Sequence, residues 1–460
     1  MKKKNRRIKD NLFTENSSIY SDTLKMNPKY ANYIMGTLEY KYNWLIGAFR
    51  SGKSTFNVLG FIIALEASRD NIHLVLASTV SVAKQIYEDG NGKLGMKQFF
   101  GSRYTSGKYE NNEAGFIQTP NGTKVVLFLG GAKASSFISF RGMSLGCIAM
   151  EEIDLLHENT ITEVRGRVLA AEDPKIFITM NPNSPKIPVY QWLRELQAKH
   201  LVNFERTCID DNPGLSEEKI NEIKSEFDPD SLFYRRYILG EDITTGDVIY
   251  HLREINYINP EDIKPEEYIS YVTVCDPGVS ISSSAFILAA LKWDKGTSKF
   301  VLDILKTYDF MNNGKNDVDI KMYADTAKDY GLFVKECAAM MGKFPEKIFI
   351  DIDPEFYRNI KIEFTALGLN WSFVRWVIKD KIEERVKMGS NLIWKGKVRF
   401  NRVACAGVIS EFKNSQIDNK QLEQNGKFVR KKEYNDAGHS DYIDCVDYAC
   451  SYYKGKLYIK

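Results

Sequence analysis

The chain has few of the residues that build a zinc site or a disulfide framework. Its seven cysteines are scattered singly, with no Cys-x-x-Cys pair, and there are only five histidines among 460 residues. A structural zinc site needs closely spaced cysteines and histidines, and disulfide frameworks belong to oxidising compartments. We therefore expect reduced thiols and no zinc.

Long apolar runs are also missing, and so is a strong charge of either sign. No stretch approaches the roughly 20 apolar residues that span a bilayer, and the basic start MKKKNRRIKD has no apolar run behind it. With 63 basic and 60 acidic residues the net charge is only +3. We expect a cytosolic, membrane-free protein in which any contact with nucleic acid depends on local patches.

Length and apolar patterning together predict two α/β domains. A chain of 460 residues exceeds the roughly 250 to 300 at which one hydrophobic core stops growing. Between about residues 42 and 208, short apolar strands alternate with helical stretches, which predicts a mostly parallel sheet with helices on both faces. A second block opens with YISYVTVCD, AFILAALKW and KFVLDILKTYDF, three adjoining strands whose simplest arrangement is antiparallel. The predicted parts are a basic N-terminal segment (1–28), a first domain (29–245), a linker (246–268) and a second domain (269–460).

The strongest single motif is GAFRSGKST at residues 47–55, which satisfies G-x-x-x-x-G-K-[ST]. An apolar strand precedes it and an amphipathic helix follows, the context in which backbone amides cradle phosphates. Lys53 would reach the β and γ phosphates, and the hydroxyl of Ser54, or of its neighbour Thr55, would help to coordinate Mg²⁺. The predicted nucleotide-binding residues in this loop are Gly47, Arg50, Ser51, Gly52, Lys53, Ser54 and Thr55.

Two further strands end in polar residues that such a site needs. LGCIAM is followed by Glu151 and Glu152, and at the same edge of a parallel sheet Glu151 would bind Mg²⁺ while Glu152 activates the attacking water. The next strand ends in Thr179-Met180-Asn181-Pro182, which would sense the γ-phosphate. The alternatives are solvated strand-end acids and a turn opened by Asn-Pro.

The second block places three aspartates at strand ends or on a helix. Asp276 follows YVTVC, Asp351 follows KIFI, and Asp444 lies in the last helical stretch. Three converging carboxylates are the ligands of a two-metal phosphodiester-cleaving site. Each one alone is equally consistent with a turn residue or a helix cap.

In order, the motifs GAFRSGKS, FRGMSLGCIAMEEID, FITMNPNSP, DNPGLSEEKI and RRYILGE resemble the ATPase half of phage large terminase subunits, over about residues 40–250. The resemblance implies a P-loop (ASCE-type) ATPase domain that binds ATP, with Thr179 and Asn181 in the motif that couples hydrolysis to motion. Arg50 stands where these motors often carry an arginine. One residue departs from the pattern: Glu151 replaces the usual aspartate, so its metal contact is either direct or through water.

The segments YVTVCDPG, IFIDIDPEF and YIDCVDYA resemble the acidic motifs of terminase nuclease domains, and this match runs over about residues 269–453. It implies a ribonuclease H-like fold in which Asp276, Asp351 and Asp444 hold two Mg²⁺ or Mn²⁺ ions. Asp441, one helical turn before Asp444, is a further candidate ligand, and Asp353 competes with Asp351. Three basic clusters, at 379–387, 395–402 and 427–434, would follow the DNA backbone without reading bases, or are merely solvated surface.

The family resemblance implies a viral DNA-packaging motor subunit, which hydrolyses ATP to translocate double-stranded DNA into a procapsid and cuts concatemeric DNA with a two-metal endonuclease site. The implied partners are double-stranded viral DNA, a portal protein, a small terminase subunit and further copies in a ring on the portal, with a monomer when free. The implied location is the host cytoplasm, transiently the portal vertex, and not the mature virion. Two alternatives are a helicase or defence-type ATPase-nuclease, and a binding module whose acids are vestigial.

Overall fold

A computed structural model of the chain describes residues 26–92, 94–242, 248–277, 284–310, 320–418, 422, 430, 431 and 442–459. The chain divides into two compact units, Met1–Ser225 with Tyr234–Ile243, and Glu226–Phe233 with Thr244–Lys460. Most of the predicted N-terminal segment lies outside the described residues. The predicted linker, 246–268, falls within the second unit, and the domain boundaries given above stay a prediction.

The strands of the first unit form one mostly parallel sheet. They are β1 (Tyr42–Gly47), β2 (Ile72–Ala77), β3 (Tyr104–Tyr109), β4 (Asn112–Thr119), β5 (Gly122–Gly130), β6 (Cys147–Met150), β7 (Lys175–Met180) and β8 (Val202–Thr207). Within the described residues their order is β3-β4-β5-β2-β6-β7-β1-β8. The β3–β4 and β4–β5 pairs are antiparallel, and the remaining pairs are parallel. The carboxyl ends of β1, β6 and β7 therefore meet at one edge of the sheet.

Helices cover both faces of this sheet. They are α1 (Pro28–Gly36), α2 (Lys53–Ala67), α3 (Val80–Ala83), α4 (Met96–Phe100), α5 (Glu158–Arg167), α6 (Pro188–Ala198) and α7 (Glu217–Lys224), with π-helices π1 (Lys84–Glu88) and π2 (Arg235–Leu239). The short α8 (Leu232–Tyr234) begins in the second unit and ends at the first residue of Tyr234–Ile243. Successive strand residues enter different cores: Leu74 and Leu76 pack in one and Val75 in the other. This alternation is what a pleated strand produces when each face of its sheet is buried.

The second unit is built on a mixed sheet. Its strands are β9 (Tyr257–Ile258), β10 (Tyr268–Asp276), β11 (Ser284–Asp294), β12 (Lys299–Phe310), β13 (Lys347–Ile350), β14 (Val374–Trp376) and β15 (Val398–Asn401). In the part of the chain that the structure describes, the order is β14-β13-β10-β11-β12-β15-β9. The predicted antiparallel arrangement of β10, β11 and β12 is confirmed, while β13 runs parallel to β10.

Helices also lie on both faces of the second sheet. They are α9 (Ile320–Met341), α10 (Pro354–Ala366), α11 (Ile382–Trp394), α12 (Ala406–Asn414) and α13 (Tyr442–Leu457). On one face, α9 and α10 share a core with Ile348 and Ile350. On the other, Tyr452 of α13 packs against Phe349, with ring centroids 5.0 Å apart.

The predicted fold class is confirmed as α/β, with a parallel-rich sheet followed by a second sheet carrying its own helices. Six of the seven cysteines are buried, and the described residues contain no disulfide. None of the described helices has the length and apolar character needed to cross a bilayer.

Candidate functional site

The predicted phosphate loop lies between β1 and α2, at the edge of the first sheet where β6 and β7 also end. Gly47 closes β1, and a Cβ atom placed there would lie 2.1 Å from the carbonyl oxygen of Thr207. Gly52 caps α2 with φ +102°, a backbone conformation that residues with side chains rarely adopt. Both glycines are therefore required by the local geometry, and the first amides of α2 are left to face a bound anion.

Neighbouring elements hold this loop in place. The Ala48 amide donates to the Thr207 carbonyl at 2.8 Å, and the Thr207 hydroxyl donates to Oγ of the buried Ser51 at 2.9 Å. The Tyr30 hydroxyl donates to the Ser51 carbonyl at 2.7 Å. Arg50, with φ +56°, is exposed, and its own carbonyl accepts from the Asn212 side chain. Such anchoring fixes the loop before any ligand binds, which lowers the ordering cost of binding.

Lys53 is the buried cation of the site. Its Nζ donates to the carbonyl oxygens of Gly47 and Ala48, at 2.9 and 2.7 Å, and to Oδ1 of Asn181 at 3.1 Å. Burial lowers the pKa of Lys53 to about 8, against the raising effect of Glu151 and Glu152. The loop thus provides one ammonium group, held by neutral oxygens, where phosphate charge would be neutralised.

Ser54 and Glu151 form the pair of oxygen ligands that the sequence predicts for Mg²⁺. The Ser54 hydroxyl, in the first turn of α2 beside Thr55, donates to Oε1 of Glu151. The second oxygen, Oε2, accepts from the Tyr87 hydroxyl at 3.4 Å. Burial raises the pKa of Glu151, opposed by the hydrogen bond from Ser54. A carboxylate beside a hydroxyl is the hard-oxygen donor set that Mg²⁺ prefers, so these residues fit that ion.

Glu152 and the end of β7 are joined directly. Glu152 has φ +47°, a strained conformation for a residue with a side chain, and its amide donates to Oγ1 of Thr179 at 2.9 Å. Nδ2 of Asn181 donates to Oε1 of Glu152 at 3.0 Å. Because Oδ1 of the same amide accepts from Lys53, Asn181 links the phosphate loop to the candidate general base.

The sequence reasoning missed several residues around this site. The Tyr87 hydroxyl donates to Glu151 and accepts from Asn57, and neither Tyr87 nor Asn57 lies in a recognisable motif. Asp154 is half-buried, and desolvation raises its pKa despite the nearby Arg236. Arg236 donates to the carbonyl of Pro182 at 2.9 Å. The RRYILGE motif contains Arg236, so that segment was recognised without this contact being foreseen.

The predicted acids of the second unit come from neighbouring elements. Asp276 ends β10 and Asp351 follows β13, and the Asp351 amide donates to the Cys275 carbonyl at 3.0 Å. Asp444 lies on α13, where Cys445 donates its thiol hydrogen to the carbonyl of Ala285, the strand partner of Asp276. The three acids therefore lie at the same edge of the second sheet. Their negative charges all raise the pKa of the Tyr448 hydroxyl, although burial is the larger cause.

Cationic side chains accompany these acids. Nζ of Lys379 lies 2.7 Å from Oδ2 of Asp351. Arg385 contacts Oδ1 of Asp444 at 2.8 Å, and Arg430 contacts both Asp444 and Asp447. Burial raises the pKa of Asp447 to about 6, against the effect of Arg430. The sequence does not single out Asp447, and it predicts that these cations either follow DNA or are solvated surface.

Asp353 has a separate structural role. Its Oδ1 accepts from the amides of Glu355 and Phe356, both at 2.9 Å, so it caps the start of α10. Its Oδ2 accepts from the Tyr323 hydroxyl at 2.7 Å. By contrast, Asp351 accepts from Lys379 and from the amide of Ile352. Asp441 and most of the cluster at 427–434 lie outside the described residues.

By donor type, Asp276, Asp351 and Asp444 fit a hard divalent cation such as Mg²⁺ or Mn²⁺. Among the residues that the structure describes, however, no three histidine, cysteine, aspartate or glutamate side chains gather closely enough to enclose a metal ion. The oxygen donors are thus of the right kind for such an ion. In this structure, however, Asp351 is paired with Lys379, and Asp444 is paired with Arg385 and Arg430.

The predicted DNA-facing clusters need a correction. Arg385, Lys397 and Arg430 are buried; Lys397 donates to the carbonyl of Ile459 at 3.2 Å, and burial lowers its pKa. Assigning these three to the DNA backbone was wrong, because a buried cation paired inside the protein does not face phosphates. Lys381 and Arg402 remain exposed within the same clusters.

Comparisons with known proteins agree with this architecture. Residues 102–241 match the model of the phage terminase large subunit family. The fold is similar to that of the large terminase of a thermophilic bacteriophage, with a TM-score of 0.63 and 18% identity, over 93% of this chain and 99% of that one. The same protein in complexes with ADP and with ATP-γ-S gives TM-scores of 0.60 and 0.59, at 18% and 17% identity, over 95% of this chain and 100% of that one. No match was found among curated proteins. The resemblance to phage large terminase subunits is therefore confirmed, by the family model within residues 102–241 and by the fold along the chain.

Proposed function

We propose that this protein is a viral DNA-packaging motor subunit, which hydrolyses ATP to translocate double-stranded DNA into a procapsid and cuts concatemeric DNA at a second site. The observation that carries the proposal is the bridge made by Asn181 between Lys53 and Glu152. It joins Lys53, Glu152 and the end of β7 in one hydrogen-bonded group, which supports a site that responds to its nucleotide over one that only binds it.

In the first unit, the loop amides and Lys53 would bind the β and γ phosphates of ATP. Ser54, with Glu151, would hold Mg²⁺, which supplies charge neutralisation at the phosphates. Glu152 would accept the proton of the attacking water. Asn181 would orient Glu152 by donating to its carboxylate, and Thr179 by accepting from its backbone amide. Loss of the γ-phosphate would alter the partner of Lys53, and Asn181 is positioned to pass that change to β7.

In the second unit, Asp276, Asp351 and Asp444 would hold two Mg²⁺ or Mn²⁺ ions, which orient water and stabilise the leaving oxygen in phosphodiester cleavage. We choose Asp351 over Asp353 because the Asp351 amide bonds the Cys275 carbonyl beside Asp276, and its charge acts on Tyr448 together with those of Asp276 and Asp444. Asp353 instead caps α10. Asp441, predicted as a further ligand, remains part of the proposal only on the strength of its sequence position.

Partners follow from the family resemblance rather than from a described contact. They are double-stranded viral DNA, a portal protein, a small terminase subunit and further copies of this chain in a ring on the portal, with a monomer when free. The site of action would be the host cytoplasm and, transiently, the portal vertex, with no place in the mature virion. DNA would be held by exposed cations such as Lys381 and Arg402, without base readout.

Two variants in the full-length protein test the two-site assignment. Lys53→Ala should abolish DNA-stimulated ATP hydrolysis and leave Mn²⁺-dependent nicking of supercoiled plasmid intact. Asp276→Ala should abolish nicking and leave ATP hydrolysis intact. A well-folded variant that loses both activities would contradict the assignment of separate sites.

The same plasmid assay separates this proposal from a binding module with vestigial acids, which would show no Mn²⁺-dependent nicking in the unmodified protein. A helicase or defence-type ATPase-nuclease would share both sites but would separate the strands of a forked duplex. The placement of Asp276, Asp351 and Asp444 at one sheet edge favours the catalytic interpretation.

A further inference from the structure

Three successive hydrogen bonds between buried side chains end at the carboxylate of Glu151. The Tyr33 hydroxyl donates to Oδ1 of Asn57 at 2.7 Å, Nδ2 of Asn57 donates to the Tyr87 hydroxyl oxygen at 2.8 Å, and the Tyr87 hydroxyl donates to Oε2 of Glu151 at 3.4 Å. All four residues are at most 3% exposed. Polar groups buried in this way need protein partners, because losing one leaves a group that water cannot readily satisfy.

The chemistry of these groups fixes the direction of donation in all three hydrogen bonds. An ionised carboxylate only accepts hydrogen bonds, and in an amide the nitrogen donates while the oxygen accepts. Since the Tyr87 oxygen already accepts from Asn57, its own hydrogen is left for Glu151. In each of the three hydrogen bonds the donor therefore points toward the carboxylate. In this arrangement neighbouring hydrogen bonds polarise one another.

Helices α2 and π1 place these hydrogen bonds next to the candidate ATP site. Ser54 and Asn57 are three residues apart on α2, so they project from the same side of that helix. Ser54 donates directly to Oε1 of Glu151, and Asn57 reaches Oε2 through Tyr87. Tyr87 belongs to π1, the π-helix Lys84–Glu88, and single-turn π-helices recur at functional sites. Both oxygens of Glu151 are thus oriented from α2.

We propose that Tyr87, itself oriented by Asn57, is a positioning residue that turns Glu151 so that Oε1 faces the metal ion of bound nucleotide beside Ser54. This inference rests on the proposed ATP site. It accounts for the glutamate that replaces the family's usual aspartate: the additional methylene adds a rotatable bond, and the second hydrogen bond restricts it. Tyr87 would contact Glu151 and not the phosphate or the attacking water.

The expected size of the effect follows from the geometry. At 3.4 Å, the Tyr87–Glu151 hydrogen bond is longer than the roughly 2.7 to 2.8 Å that is commonest between two oxygens. We therefore expect its loss to weaken metal binding in the nucleotide complex by roughly 3- to 10-fold, in the range of a single net hydrogen bond. Nucleotide binding without metal should change little, because the loop and Lys53 are not touched.

The test compares Tyr87→Phe with the unmodified full-length protein. Free Mn²⁺ is measured by electron paramagnetic resonance during titration into protein with and without a saturating non-hydrolysable ATP analogue. The difference separates nucleotide-dependent binding from Mn²⁺ held at the proposed second site, and thermal unfolding is measured in parallel. Tyr104→Phe is the matched control: its hydroxyl also donates to a carboxylate of the first unit, Oε1 of Glu88 at 2.9 Å, but not at the nucleotide site. Asn57→Ala is a second variant, which releases the Tyr87 hydroxyl without altering Tyr87 or Glu151.

Weaker Mn²⁺ binding in Tyr87→Phe and in Asn57→Ala, with Tyr104→Phe unchanged, supports the inference. Adding Tyr87→Phe to a Glu151→Asp background should then have little further effect, because the shorter acid no longer depends on Tyr87. Unchanged Mn²⁺ affinity in Tyr87→Phe, or equal weakening in Tyr104→Phe, overturns the inference and leaves the proposed ATP site standing. If the unmodified protein shows no nucleotide-dependent Mn²⁺ binding, the proposed ATP site fails and the role of Tyr87 fails with it.

Discussion

The Nζ atom of Lys53 lies 3.1 Å from Oδ1 of Asn181 and donates a hydrogen bond to it. Lys53 begins the helix after the phosphate loop, whereas Asn181 follows the neighbouring strand β7. The other end of the Asn181 amide donates to Glu152, so one side chain connects the groups proposed to hold the γ-phosphate and to activate water. A change at the phosphate has a short path to the end of β7.

The bridge predicts a selective effect of Asn181→Ala. The variant should bind ATP with an affinity within about threefold of the original, because the loop and Lys53 remain, while kcat for hydrolysis falls by roughly 100-fold as Glu152 loses its orientation. Steady-state hydrolysis with equilibrium nucleotide binding measures both. Asn183→Ala is the control, because the Asn183 amide donates to Asp154 at 3.5 Å. Equal losses in the two variants would show that the bridge has no special role.

The buried position of Lys53 predicts a pH dependence of nucleotide binding. Burial lowers its pKa to about 8 in the free protein, and a bound polyphosphate would raise it again. Above pH 8 the free site is increasingly neutral, so binding should take up a proton and weaken by up to about tenfold per pH unit. Calorimetry at pH 9 in two buffers of different ionisation enthalpy measures the uptake. Lys53→Met should show none, and proton uptake persisting in that variant would assign the effect to another group.

The distinction between Asp351 and Asp353 yields a third prediction. Asp353→Ala should lower the free energy of unfolding by about 1 kcal/mol through loss of the cap on α10, yet retain Mn²⁺-dependent nicking. Asp353→Asn should be close to neutral for stability, since asparagine also caps helices well. Asp351→Ala should lose nicking. Plasmid nicking and chemical denaturation decide the matter, and loss of nicking in a folded Asp353→Asn protein would reverse the assignment.

Arg430 gives a prediction about stability. It pairs with the buried Asp444 and Asp447. Arg430→Met removes this ion pair from the buried Asp447, while Asp444 keeps its contact with Arg385, and should cost roughly 3 to 5 kcal/mol of unfolding free energy. Arg375→Met is the control, because Arg375 is exposed and contacts only backbone carbonyls; it should change stability by no more than about 0.5 kcal/mol. Similar denaturation midpoints for both variants would mean that the ion pairs contribute little.

Much of the fold could be predicted from the sequence because apolar runs bounded by polar residues mark buried strands. YISYVTVCD and KFVLDILKTYDF were predicted with the bounds that β10 and β12 have. The β3–β4 hairpin was not predicted. Glu110 and Asn111 at its tip both have positive φ in the structure, which is the backbone of a type I′ turn, but the sequence signals of that turn are Asn-Gly and Asp-Gly. The helix α9 was not predicted.

The candidate sites were predictable only where local motifs carry them. Loop glycines, Lys53 and the acids after β6 and β7 stand in short patterns with a physical reason for each residue. Tyr87 and Asn57 do not, because their role arises from a π-helix and from one face of α2, which meet Glu151 only in the folded chain. Likewise, the sequence shows that Arg385 and Arg430 are basic but not that they are buried against Asp444.

In the proposed function, ATP hydrolysis at the Lys53 site moves double-stranded DNA. Displacement of a labelled third strand from a DNA triplex tests this most directly, using Asp276→Ala protein so that the DNA is not cut, together with a forked duplex. We predict ATP-dependent displacement of the third strand, its loss in the Lys53→Ala, Asp276→Ala double variant, and no separation of the forked duplex. Unwinding of the fork, or displacement that survives Lys53→Ala, would contradict the claim.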